Sequence, residues 1–96
     1  MKEFEKLDPL IHSRIRLSIM SVLISVKETD FNYLKETTET TDGNLSTHLS
    51  KLETAGYVNV EKSFIEKKPH SQYSLTEIGK RAFDVYVSSL ERYIKP

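Results

Sequence analysis

The chain contains no cysteine, which excludes disulfides, thiolate metal sites, thiol redox sensing and cysteine nucleophiles in one step, so packing alone must hold the fold. Glycine is scarce. Three in 96 residues leave little material for phosphate-cradling loops, and neither a nucleophile motif nor paired carboxylates on a cleft can be found, so no enzyme is expected. Long apolar runs are missing as well: Ile15 to Val26 is interrupted by Arg16, Ser18, Ser21 and Ser25, too short and too polar to span a bilayer. No signal-peptide pattern precedes it, and a cytoplasmic protein without membrane contact is expected. Net charge is lacking too, since 14 Lys and Arg balance 14 Asp and Glu, where a domain that binds nucleic acid would ordinarily be basic. The distribution tilts only slightly, from six basic and eight acidic residues through Asn44 to eight basic and six acidic from Leu45 onward.

What is present suits one compact domain over residues 1–96: 38% hydrophobic residues for a modest core and 29% charged ones to solvate its surface. Asp8-Pro9 reads as a helix start, because Asp can accept from free first-turn amides and Pro has no N–H to leave unpaired. From there to about Val26, Ile11, Ile15, Ile19, Val22 and Val26 form one apolar stripe. Leu10, Leu17, Met20, Leu23 and Ile24 widen it, so this helix is expected to be buried on two sides. Asp30 can cap a short helix, Phe31 to about Thr37, and the polar run Thr38 to Thr41 reads as a turn.

Thr41 or Asp42 then caps a third helix that runs to Ala55 and stops at Gly56. Leu45, Leu49 and Leu52 share its core side, while Asn44, Thr47, His48 and Lys51 recur at the same spacing on another face. Tyr57-Val58-Asn59-Val60, running toward Phe64, and Gln72-Tyr73-Ser74-Leu75 alternate apolar and polar groups as short strands do. Between them Ile65 to His70, with Lys67, Lys68 and Pro69, reads as an exposed loop. Thr76 caps a last helix to about Ile94, again apolar on more than one face. The expected fold is mainly α with a small β-hairpin, in the order helix, helix, helix, strand, strand, helix. That is the layout of a winged helix-turn-helix, a three-helical core plus a wing.

The segment Asp42-Gly43-Asn44-Leu45-Ser46-Thr47-His48-Leu49-Ser50-Lys51-Leu52-Glu53-Thr54-Ala55-Gly56-Tyr57-Val58 resembles the reading helix of winged-helix regulators of the MarR and ArsR groups. Tyr73-Ser74-Leu75-Thr76-Glu77-Ile78-Gly79-Lys80 is similar to the Leu-Thr-x-x-Gly opening of their final helix, and Ile11 to Leu17, with Arg14 and Arg16, to the start of their first core helix. The resemblance implies a sequence-specific, DNA-binding transcriptional regulator that works as a homodimer on double-stranded DNA. The reading helix would be about 42–55 in the major groove and the wing about 62–72 on the backbone or minor groove. Residue chemistry fits: Asn44 can bond adenine in two places and the Thr47 methyl can meet thymine. Ser46, His48 and Ser50 suit phosphate or bases, and Lys51 suits phosphate. Lys62, Lys67, Lys68 and His70 would set the wing against the DNA.

His12, His48 and His70 fall in three different elements without a carboxylate pattern, so no metal is assigned, and no cofactor is called for. Phe83, Tyr86, Leu90, Tyr93 and Ile94 read as core or dimer surface; a small-molecule effector at the dimer seam is allowed but not indicated. Zero net charge, with Glu36, Glu39 and Asp42 near the reading helix, also fits a protein-interaction or RNA-binding winged helix without sequence-specific DNA binding. Too few phosphate contacts per subunit make two subunits on a two-fold site the expectation, with the first and last helices as candidate interfaces.

Overall fold

The computed structural model describes residues 7–95; the Met1 to Lys6 segment, on which part of the signal-peptide expectation rests, lies outside them. Four helices and three strands follow one another as α1 (Arg14–Val26), β1 (Glu28–Asp30), α2 (Phe31–Thr38), α3 (Asp42–Thr54), β2 (Val58–Ile65), β3 (Lys68–Leu75) and α4 (Glu77–Ile94). Each helix begins on a short oxygen-bearing side chain that accepts a first-turn amide: Ser13 from Arg16, Asp30 from Tyr33, Thr41 from Asn44 and Thr76 from Gly79. These caps satisfy donors that would otherwise lack partners.

The helix start expected at Asp8-Pro9 is corrected to Ser13. One Asp8 carboxylate oxygen takes the Leu10 amide at 2.9 Å, and the other takes the Tyr57 hydroxyl. The backbone makes a single helical turn, His12 N–H to Asp8 C=O, and then breaks, Ser13 N–H reaching Ile11 C=O. The Asp8 contact pushes the Tyr57 phenol up to about 12: the hydrogen bond favours the neutral hydroxyl most, followed by burial and the carboxylate charge.

The strands also differ from expectation. β1 is a third strand, too short to show alternation in sequence, and it lies antiparallel to β3 with Glu28 opposite Ser74 and Asp30 opposite Gln72. The sheet order is therefore β1-β3-β2. β2 and β3 run eight residues each, so the expected loop from Ile65 to His70 contracts to a two-residue turn, Glu66-Lys67. Both turn residues have positive φ, 52° and 67°, which is the backbone twist a two-residue hairpin demands. Pro69 then belongs to β3, opposite Phe64. With Ile65 and Lys68 bracketing the turn as a hydrogen-bonded pair, the next pair exchanges no bonds, so the missing N–H of Pro69 costs the ladder nothing.

The core comprises Ile11, Ile19, Met20, Leu23, Leu34, Leu45, Leu49, Leu52, Val58, Leu75 and Tyr86, contributed by every helix, by the inner ends of β2 and β3 and, through Ile11, by the turn before α1. It closes where two turns meet. Gly56, at φ +80°, ends α3, a position that suits the residue without a Cβ. The Gly56 carbonyl accepts the Thr76 hydroxyl and the Tyr57 carbonyl accepts the Thr76 amide at 3.0 Å. Gly79, one turn into α4, lies against the same Tyr57 carbonyl, with no room for a Cβ.

Gly79→Ala is therefore expected to destabilise the protein by about 2 kcal/mol, since the obstruction is backbone and cannot swing away. In thermal unfolding that is a Tm lower by roughly 10 °C. Gly43→Ala, where nothing lies within 4 Å of the added Cβ, is the matched control and should be neutral or slightly stabilising; equal Tm values for the two variants would refute the close approach.

Candidate nucleic-acid interface

Helix α3 turns Leu45, Leu49 and Leu52 into the core, which at 3.6 residues per turn aims Gly43, Thr47, Ser50 and Thr54 directly away from it. All four of the latter are exposed. Asn44, His48 and Lys51 form a second row along the edge of α3, and at its half-buried middle position His48 meets Arg16 of α1. Ser46 is exposed but lies on the opposite edge, so the structure separates it from the other candidates. Gly43 and Thr54 belong to the outward row and were not singled out by residue chemistry; only the helix geometry brings them in.

The Thr47 hydroxyl donates to the Gly43 carbonyl at 3.0 Å, which commits the hydroxyl and leaves the methyl as the free end of the side chain. Among the acids near α3, Asp42 is paired with Lys35 of α2 at 2.8 Å. Both groups are solvated and the pair adds little stability, yet it offsets one negative charge beside the exposed face.

His48 is bound across the molecule. An Arg16 guanidinium N–H donates to His48 Nδ1 at 2.8 Å, and Arg16 Nε–H donates to the Leu10 carbonyl. Burial first, then the positive charges of Arg16 and Lys51, hold the His48 imidazole below its ordinary pKa, so it is neutral at pH 7. In the sequence Arg16 is a polar break in an apolar stripe and part of the segment resembling the first core helix; its contact with a residue 32 positions away needs the fold.

On the wing the basic residues divide between faces. Lys62 shares one face with Phe64, Pro69 and Ser71, while Lys68 and His70 share the other with Ser63 and Ile65, and Lys67 sits in the turn. His70 is half-buried with Nε2 3.1 Å from Gln72 Oε1, and the three lysines are exposed. The wing tip also exposes two large apolar side chains, Phe64 at 76% and Ile65 at 54%. The three histidines thus take separate partners, Tyr86 for His12, Arg16 for His48 and Gln72 for His70. No helix among the described residues is long and apolar enough to cross a membrane.

The sequence profile of the winged helix DNA-binding domain matches residues 15–94. An uncharacterised protein of Methanocaldococcus jannaschii is 38% identical over 78 residues, covering 81% of this chain and 85% of the relative. Among solved structures, a transcriptional regulator homologue from Pyrococcus horikoshii aligns with a TM-score of 0.89 at 27% identity, over 98% of this chain and 95% of its own. The protein ytfH from Salmonella typhimurium aligns with a TM-score of 0.74 at 26% identity, over 90% and 75%. By profile and architecture alike, this chain belongs to the winged helix DNA-binding domain family.

Proposed function

We propose that the protein is a transcriptional regulator that reads double-stranded DNA with α3 in the major groove and the β2–β3 wing on the backbone or minor groove. The observation that carries this reading is the exposed polar row Gly43, Thr47, Ser50 and Thr54, flanked by Asn44 and Lys51 and backed by three buried leucines. A rigid helix with short polar side chains outward is the shape a major groove admits. Asn44 reads adenine and the Thr47 methyl meets thymine. Ser50 and Lys51 contact phosphate, with Ser46 reaching it only from the far edge. Lys62 and Lys68 lie on opposite wing faces, so they flank the DNA-contacting edge and Lys67 leads at the tip, with His70 behind them. The likeness to a transcriptional regulator homologue from Pyrococcus horikoshii supports the same assignment.

Selection of bound sequences from a random duplex pool at two salt concentrations tests it. A two-fold-symmetric site should be enriched and lost for Asn44→Ala and Thr47→Ala. On the enriched site Asn44→Ala is expected to cost about 1–3 kcal/mol per subunit. Lys67→Ala combined with Lys68→Ala should weaken all sequences evenly and reduce the salt slope by about one per lost phosphate contact. The exposed Phe64 and Ile65 favour a protein-interacting wing as the second reading, and absence of enrichment at either salt would select it.

The same reading includes a homodimer. Helix α1 packs against α2, α3, α4 and the sheet and exposes Ile24 and Val26 as its large apolar side chains at 43% and 37%, whereas α4 exposes Ile78 at 60% and Val85 at 56%, two turns apart on one stripe. This favours α4 over α1 as the proposed interface. Sedimentation equilibrium should give a dimer for the native protein and a folded monomer for Val85→Glu; a native monomer at micromolar concentration would exclude the interface.

A further inference from the structure

We propose that Arg16 is a positioning residue for DNA binding: by donating to His48 Nδ1 while anchored on the Leu10 carbonyl, it fixes His48 with its proton on Nε2, as a donor to a backbone phosphate at the α1 edge of the reading helix. This rests on the DNA-binding reading above.

A guanidinium has donors only. The nitrogen it meets at 2.8 Å, His48 Nδ1, must therefore be bare and accepting, and in a neutral ring the single proton is then on Nε2. Among the described residues Nε2 has no protein partner, so its N–H is available to a ligand. The charges facing the ring are Arg16 from α1 and Lys51 from its own helix, and both are positive, so an arriving acceptor meets a site complementary to an anion. Its place in the row Asn44, His48 and Lys51, at the edge of α3 and away from the outward row, puts this donor beside the groove where the sugar-phosphate strand passes. The anchor makes the geometry specific: with Nε–H on Leu10 and an Nη1–H on His48, the planar fork of Arg16 is held at two points, which a lysine ammonium cannot reproduce in the same plane.

Two measurements test it. Long-range ¹H–¹⁵N correlation spectra of the free protein at pH 7 should show His48 with a bare Nδ1 and a protonated Nε2, and in Arg16→Met the ring should titrate at a higher pH. A protonated Nδ1 in the native protein would overturn the proposal whether or not DNA binds. The second is a double-mutant cycle on DNA affinity with Arg16→Met and His48→Ala. Arg16→Met should weaken binding ~5-fold when His48 is present and not measurably when it is Ala, about the effect of one hydrogen bond. Arg16→Lys, which keeps the charge, should weaken binding as Met does. Additive losses, or full affinity for Arg16→Lys, would show that Arg16 acts by its own charge on the DNA and would overturn the positioning role. A native protein that binds no duplex would remove the function above and this inference with it, while the spectra would still report the ring arrangement alone.

Discussion

The contact on which the rest of the architecture depends is the meeting of two turns, α3 into β2 and β3 into α4. Thr76 closes it by serving three backbone groups: its hydroxyl donates to Gly56 C=O and accepts from Gly79 N–H, and its amide donates to Tyr57 C=O. Gly79 completes the closure by having no side chain where the Tyr57 carbonyl lies. Immediately beside this knot Val58 and Leu75 pair across the sheet and enter the core. The end of the reading helix, the root of the wing and the start of the last helix are therefore one structural corner. The two sequence motifs that resemble a regulator family, the Gly56-Tyr57-Val58 end of one and the Leu75-Thr76 to Gly79 opening of the other, are the two halves of this single contact.

That correspondence explains what the sequence disclosed. The caps at Asp30, Thr41 and Thr76 and the stop at Gly56 are local devices whose chemistry acts within four residues, and they could be read one at a time. The apolar spacing of Leu45, Leu49 and Leu52 likewise assigns a core side to α3 without reference to any other element. Asp8-Pro9 misled because the same carboxylate chemistry that caps a helix also closes a lone turn, and a phenol 49 positions on, Tyr57, competes for it. β1 has three residues, fewer than alternation can mark, and exists because β3 offers it a ladder. Pro69 read as a loop residue because strands reject proline in general, although one register position beside a two-residue turn tolerates it.

The balanced composition is compatible with the proposed DNA-facing surface through local arrangement. Asp42, which stands at the head of the reading helix, is answered by Lys35 from the preceding helix. His48 contributes no charge of its own because burial, Arg16 and Lys51 disfavour the imidazolium. The exposed part of α3 is thus mostly neutral hydrogen-bonding surface, with Lys51 and Glu53 exposed toward its C-terminal end, a composition that gives little general attraction for phosphate. On the proposed reading, sparse charge on this face would leave binding to depend on matched contacts.

The wing turn carries a last consequence. Glu66 and Lys67 both adopt left-handed backbone angles that glycine or asparagine would accept with less strain, and every residue from Glu61 to Pro69 is exposed, so little burial opposes separation of the strand ends there. The outer half of the hairpin is accordingly a region of low local opening energy, with amides expected to exchange before those of α3. Its outermost pairs can fray and re-form while the corner at Thr76 holds α3 still.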